Sequence, residues 1–332
     1  MSEKRPPMPS RDKGGSASLT NPDDGTPIRQ SVVVGEALLM ITEKCTYRIQ
    51  MADQIDPDRK NPALPQTAQQ KVFDHGAKSD LMRGTLLHAK VMFKDGFQEI
   101  DIPRALSHSF DALSNLIAMR DLELAFAARV DAAAAKVGPG TLRGSSLVLP
   151  AAGGVREDTK SFIQRADHFS HDLLQIVRLF YPDMGKGWQD FNSYVEKQYG
   201  PEDQMTKLLS KTVPILQLVR DTRDCLDHHL KGVTILDFAA EPNGGVFLPS
   251  IEIDFKTSKH PRFSAAAFMH EITEWMLEIF EQVTVHMCAK RLKPFAGMPF
   301  VIDEVKPPHS ENWPSRYAYG LIYEDQGFVP CG

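Results

Sequence analysis

The segment KSFIQRADHFSHDLLQIVRLF, residues 160–180, leaves few choices about local structure. Phe162, Ala166, Phe169, Leu173, Ile176 and Phe180 recur every three or four positions, with polar side chains between them. At about 100° per residue these six fall on one stripe, so the spacing predicts an amphipathic α-helix. An apolar stripe has to be covered, so at least one further layer of helix or sheet must pack against it.

The same period recurs along much of the chain. Beyond Pro103, Leu106, Phe110, Leu113, Ile117, Leu124 and Ala127 follow one face, and the alanines at 132–135 favour a long helix. A shorter helix is expected near 187–198, leading into PEDQMTKLLSKTVPILQLVRDTRDCLDHHLKG. There Pro214 either kinks the helix or begins a new one at its first turn, and Gly232 is placed to end it. A further long helix is expected over 264–292. Near the start, Val34, Leu38, Ile41, Cys45 and Ile49 also read as an amphipathic helix, which DPDRKNPALPQ breaks.

Other segments carry different signals. The first thirty residues hold five prolines and few large apolar groups, so they are expected to form a flexible tail. DLMRGTLLHAKVMF can be helical, while KVMFKDGFQEIDI reads equally as two strands around a Lys-Asp-Gly turn. VGPGTLRGSSLVLPAAGGV reads as an extended loop. VTILDFA and GVFLPSIEIDF flank AEPNGG, a hairpin signature. RYAYGLIYE suits a short strand, with nothing in the sequence to pair it.

Together these signals predict a mainly α fold, an up-and-down helical bundle with a small β-hairpin inserted between the last two long helices. The expected organisation is a disordered tail over 1–30, an N-terminal helical region over 31–103, and a bundle over 104–332 that carries the hairpin at 233–255 and a C-terminal extension.

Composition narrows the function classes. With 42% hydrophobic and 24% charged residues and a net charge of −5, the chain has no global basic field, so any nucleic-acid contact has to be local. Cys45, Cys225, Cys288 and Cys331 form no C-x-x-C pair, so neither a zinc-thiolate site nor a disulfide framework is indicated. No run approaches the roughly 18 apolar residues of a membrane span, and no apolar signal-peptide region opens the chain. A cytoplasmic protein without membrane contact is expected.

The densest chemistry lies in RDTRDCLDHHL, residues 220–230. On a helix, Ile215, Leu216, Val219, Thr222, Leu226 and Leu230 span an arc of roughly 120°, and Arg223 falls inside it. Asp227 sits beside the arc, Arg220 and Asp224 lie farther round, and His228 projects to the other side. A guanidinium aimed at a core or interface needs a carboxylate or phosphate partner. One reading is self-pairing at i, i+4, Arg223 with Asp227 and Arg220 with Asp224. The other is a phosphate site.

RDCLDH resembles the signature of the HEPN superfamily, helical bundles many of which are metal-independent endoribonucleases: an Arg, a polar residue and a His a few positions on. Arg223, Asp224 and His228 occupy those places. The resemblance implies that Arg223 holds the scissile phosphate, His228 acts as acid or base, and Asp224 orients His228. Arg220 and His229 would support substrate binding. Because Arg223 and His228 diverge by about 140° on a regular helix, the resemblance further implies a homodimer that pairs two motif helices, with RNA as partner.

Other constellations are weaker. MHEITEW carries His270, Glu271 and Glu274, and HFSH carries His168 and His171, but no H-E-x-x-H or Glu-x-x-His pair appears, so no metal and no cofactor are expected. His286 falls on an apolar face and reads as a hydrogen-bonded core histidine. VGPGTLRGSS lacks the order of a phosphate-binding loop. The competing functional reading is a non-catalytic helical interaction or nucleotide-binding protein in which the Arg/Asp cluster is structural.

Overall fold

A computed structural model describes residues 7–12, 25–137, 141–143, 146–243, 245–293, 298–307, 313–323 and 327–331. Most of the tail expected over 1–30 lies outside these residues. Within it, one helical turn, α1 (Pro9–Asp12), is described, and Arg11 of that turn donates to Asp53, Asp56 and the Asn61 carbonyl.

The chain then forms β1 (Ile28–Val34), β2 (Ala37–Thr42) and β3 (Thr46–Met51), the short α2 (Ala52–Ile55), and β4 (Thr67–Phe73). Two short helices, α3 (Asp80–Gly84) and α4 (Leu86–Met92), lead to the long α5 (Ile102–Val137). A small ladder of β5 (Thr141–Arg143) and β6 (Ser146–Val148) precedes α6 (Val155–Phe180), α7 (Trp188–Tyr199) and α8 (Gln204–Asp227). Next come β7 (Val233–Leu236), β8 (Ala239–Ala240), β9 (Val246–Phe247), β10 (Ser250–Phe255) and β11 (Ser258–Ser264). The last elements are α9 (Ala265–Arg291), β12 (Val301–Glu304), β13 (Tyr317–Tyr323) and β14 (Gly327–Pro330).

The long helices follow the sequence signals. All six stripe residues of α6 are buried, and they pack into a core shared with α5, α8 and α9. Asp203 caps α8 by accepting from Met205 N at 2.9 Å, and Ser264 caps α9 by accepting from Ala267 N. α8 runs unbroken through Pro214. The carbonyl that loses its intrahelical partner there belongs to exposed Ser210, so water can satisfy it.

The mainly α expectation does not hold. Of the described residues 49% are helical, but 23% lie in strands, arranged as antiparallel sheets of four, three, three, two and two strands. The helix expected from Ser31 to Ile55 is instead the meander β1-β2-β3, which β4 completes. Its apolar residues serve two faces alternately. Val32, Leu39 and Ile41 join the main core, while Tyr47 and Ile49 pair across the ladder with Met40 and Leu38 on the opposite face. Gly35, at φ +58°, makes the turn that pairs Val34 with Ala37.

The expected hairpin is present but is part of a larger structure. β8 pairs with β9 around the AEPNGG turn, β7 pairs with β10, and β11 adds a third strand, giving the order β11-β10-β7. The orphan strand RYAYGLIYE is β13, paired on both sides by β12 and β14. The DLMRGTLLHAKVMF segment is helical, as α3 and α4. One contiguous core runs from Val32 to Tyr319. No described helix is long and apolar enough to cross a membrane.

Candidate functional site

The arc drawn on α8 from sequence is largely buried: Leu216, Val219, Thr222 and Leu226 are in the core. Leu230 lies past the helix end and is exposed. Arg223 sits at the edge of the arc with its side chain 31% exposed, among three carboxylates. Its Nη1 lies 3.0 Å from Asp224 Oδ1, and its Nε lies 3.0 Å from Asp227 Oδ2 and 3.7 Å from Asp167 Oδ2 of α6. The hydrogen bond to Asp224, with the charges of Asp167 and Asp227, raises its pKa further, and Nη1 and Nε of the guanidinium both face carboxylates of the protein. Asp227 also accepts from Gln164 and pairs with Lys160. Burial opposes its ionisation, yet these hydrogen bonds and Arg223 hold it below the ordinary carboxylate value.

The sequence-predicted pairs divide. Arg223–Asp227 forms, whereas Asp224 turns to Arg223 and leaves Arg220 without a carboxylate partner among the described residues. Asp224 reaches His228 only through its backbone carbonyl, which accepts the His228 N–H at 3.0 Å. His228 is the exposed C-cap of α8. His229 adopts a left-handed φ of +53°, and the Leu230 N–H returns to Cys225 O at 3.0 Å, a closure in which His229 takes the place usually held by glycine. Among the described residues no hydrogen bond or ion pair joins the Arg223 and His228 side chains of one chain.

Arg220 belongs to a different constellation. A cleft of about 610 Å³ opens between α6, α7 and α8, lined by Asp167, His171, Arg178, Lys186, Trp188, Asp190, Arg220, Asp221, Asp224 and Lys256 among others. Regular helical spacing supplies one wall, because Asp167, His171, Leu174 and Arg178 recur every three or four residues along α6, with Ser170 one turn after Asp167. Trp188 forms part of another wall and is fixed by its indole N–H donating to Ser170 Oγ at 2.9 Å. Arg178 Nη2 donates to the Lys186 carbonyl at 2.6 Å, which ties α6 to the loop before α7.

Each carboxylate lining the cleft is already engaged. Asp190 accepts the backbone N–H groups of Lys186 and Gly187. Asp221, fully buried, accepts from Gln217 at 2.9 Å and Ser258 Oγ at 2.7 Å and pairs with Lys256 at 3.3 Å. Asp167 and Asp224 face Arg223. Among the described residues, Arg220 and the Lys186 ammonium have no such partner. Asp221 was not distinguished in sequence, since only the packing of β10 and β11 on α8 turns its face of the helix inward.

Of the alternative metal candidates, His270 and Glu274 are engaged otherwise. His270 Nδ1 lies 2.8 Å from Glu123 Oε1, Arg120 bridges Glu123 and Glu274, and His168 and His171 are exposed. His286 Nδ1 donates to the Gln282 carbonyl of its own helix. A second cleft of about 560 Å³ is lined by Arg83, Glu274, Glu281, Glu304 and Arg316, but there Arg316 is paired with Glu304 at 2.8 Å. No family model, curated protein or solved structure matches the chain.

Proposed function

We propose that the chain is a non-catalytic binding protein whose cleft between α6, α7 and α8 takes a phosphate-bearing ligand of mononucleotide size. The observation that carries this reading is the imbalance of engagement around the cleft. Its carboxylates are satisfied internally, while Arg220, with Lys186 lining the same cleft, retains donors for an incoming anion. A guanidinium matches phosphate oxygens with two parallel donors, and about 610 Å³ lies within the usual range for small-ligand sites. Trp188 offers an aromatic wall for a base or sugar. Arg223 is structural in this reading, clamping α8 to α6 through Asp167, and no second copy of the chain is required.

The test is calorimetric titration of the full chain with inorganic phosphate and with nucleoside monophosphates, alongside incubation with single-stranded RNA in EDTA. Nucleotide binding is expected to weaken at least about tenfold in Arg220→Ala, the loss of one charge-assisted contact, and to be unchanged in His228→Ala; RNA is expected to stay intact. Undiminished binding in Arg220→Ala would overturn the proposal. RNA cleavage by the wild type that disappears in His228→Ala would restore catalysis by Arg223 and His228.

A further inference from the structure

A second group of side chains lies where α5 packs on α6. His108 and Asp111, three residues apart, face the same side of α5, and Asp172 comes from α6. One ligand atom from each, an imidazole nitrogen and two carboxylate oxygens, lies within 4.8 Å of the others. His108 is independently incomplete: its Nε2 is sealed from solvent and has no hydrogen-bond partner among the described residues. A buried imidazole nitrogen left unbonded is uncommon, because polar atoms removed from water are nearly always paired.

Asp172 is in a matching condition. Its carboxylate accepts only from the Asn115 side-chain amide, at 2.9 Å, and no Lys or Arg ion-pairs with it among the described residues. Asn115 is held in turn, donating also to the Asp111 carbonyl at 3.2 Å and accepting from Arg165 at 3.3 Å. The amide thereby orients Asp172 from behind, as hydrogen-bonded neighbours of metal ligands do. The ionisable neighbours of His108 are Asp111, Arg104 and His171, and Arg165 approaches the triad only through Asn115.

We propose that His108, Asp111 and Asp172 bind one divalent transition-metal ion of the Mn²⁺ to Zn²⁺ class. Imidazole nitrogen with carboxylate oxygen suits these ions, whereas Mg²⁺ favours oxygen alone. Metal–ligand distances of about 2.0–2.2 Å require ligand atoms about 3–3.5 Å apart, so modest side-chain rotations close the triad. Three protein ligands leave room for water or an exogenous ligand on the side of exposed Asp111. The proposal replaces the sequence expectation that no metal binds, and it does not rest on the anion cleft, which lies on another face of α6.

The experiment uses the full chain stripped with EDTA, dialysed, and titrated separately with Zn²⁺, Mn²⁺ and Mg²⁺. Thermal midpoint and metal retained per chain after gel filtration are the readouts, with circular dichroism to show that each variant folds. One Zn²⁺ or Mn²⁺ per chain and a raised midpoint are expected, with Mg²⁺ weaker. His108→Ala and Asp172→Asn should each lose at least about tenfold in affinity, and Asn115→Ala about 10–100-fold, as an orienting partner does. His168→Ala, a surface histidine on α6, should retain the ion. Failure of every ion to bind, binding undiminished in both His108→Ala and Asp172→Asn, or Mg²⁺ binding as tight as Zn²⁺ would each overturn the proposal.

Discussion

Replacing Glu281 by Gln should make the protein more stable at neutral pH although it removes a charge beside an arginine. Glu281 lies on α9 at the second cleft, and Gly84 of α3 packs close against it. Burial is the main cause that pushes its carboxyl up to about 7 from an ordinary 4.5; Arg316, 4.0 Å from Oε2, acts in the opposite direction but does not prevail. Between about pH 4.5 and 7 the folded chain therefore holds a proton that the unfolded chain has released, and stability falls as pH rises through that window. At about 1.36 kcal/mol per pKa unit the full loss is about 3 kcal/mol. Gln mimics the protonated form without that loss. Urea denaturation across pH should show the two proteins equal at about pH 4 and Glu281→Gln about 3 kcal/mol more stable at about pH 8. For a chain of this length that difference is about 4 °C in Tm. A gap independent of pH, or a Gln variant that is weaker at the upper end, would refute the argument.

Leu173 is fully buried at the centre of the α6 stripe, so Leu173→Ala should cost about 2–5 kcal/mol in denaturant titration, and a cost below about 1 would mean that α6 is not packed as described. His229 occupies a left-handed position, so His229→Gly should stabilise by about 0.5–1 kcal/mol, read by thermal melts. Asp221→Asn keeps the shape but presents an amide to Gln217, Lys256 and Ser258; stability should drop by about 1–3 kcal/mol, and hydrogen exchange should quicken at the β10–β11 turn that Asp221 anchors.

The helices were legible in the sequence because their stripes recur over many turns. α6 is the plainest case, and the boundaries of α5, α8 and α9 follow from Pro103, Asp203 and Ser264. Beyond the AEPNGG hairpin and the β13 segment, the strands and their pairing were not legible, for reasons that differ by place. From Val34 to Ile49, residues three and four apart are apolar on both schemes, since a meander that buries both faces leaves apolar side chains at odd and even positions alike. The discriminating signals were Gly35 and the clusters of β-branched residues in SVVV and ITEKCTY. β13 could not be assigned partners, because strand pairing across long connections leaves no local mark. Likewise His108 and Asp111 are close in sequence, but Asp172 joins them only through the packing of α5 on α6.

The candidate site shows why an arginine's role is set by what surrounds it rather than by its motif. Arg223 has the more suggestive sequence position, inside the apolar arc and five residues before a histidine. Three carboxylates surround it, however, and a phosphate reaching that guanidinium would have to displace Asp224 or Asp227 while approaching Asp167. Arg220, one turn earlier, was expected to pair with Asp224 and does not, because Arg223 takes that carboxylate. The same aspartate thus closes one arginine and leaves its neighbour open. Removing Asp224 should therefore affect the two arginines oppositely: in Asp224→Asn, Arg223 keeps Asp227 and Asp167, while the cleft beside Arg220 loses a negative charge. Anion binding should strengthen, and undiminished salt-dependent repulsion of phosphate in that variant would show that the cleft's charge balance is not what governs it.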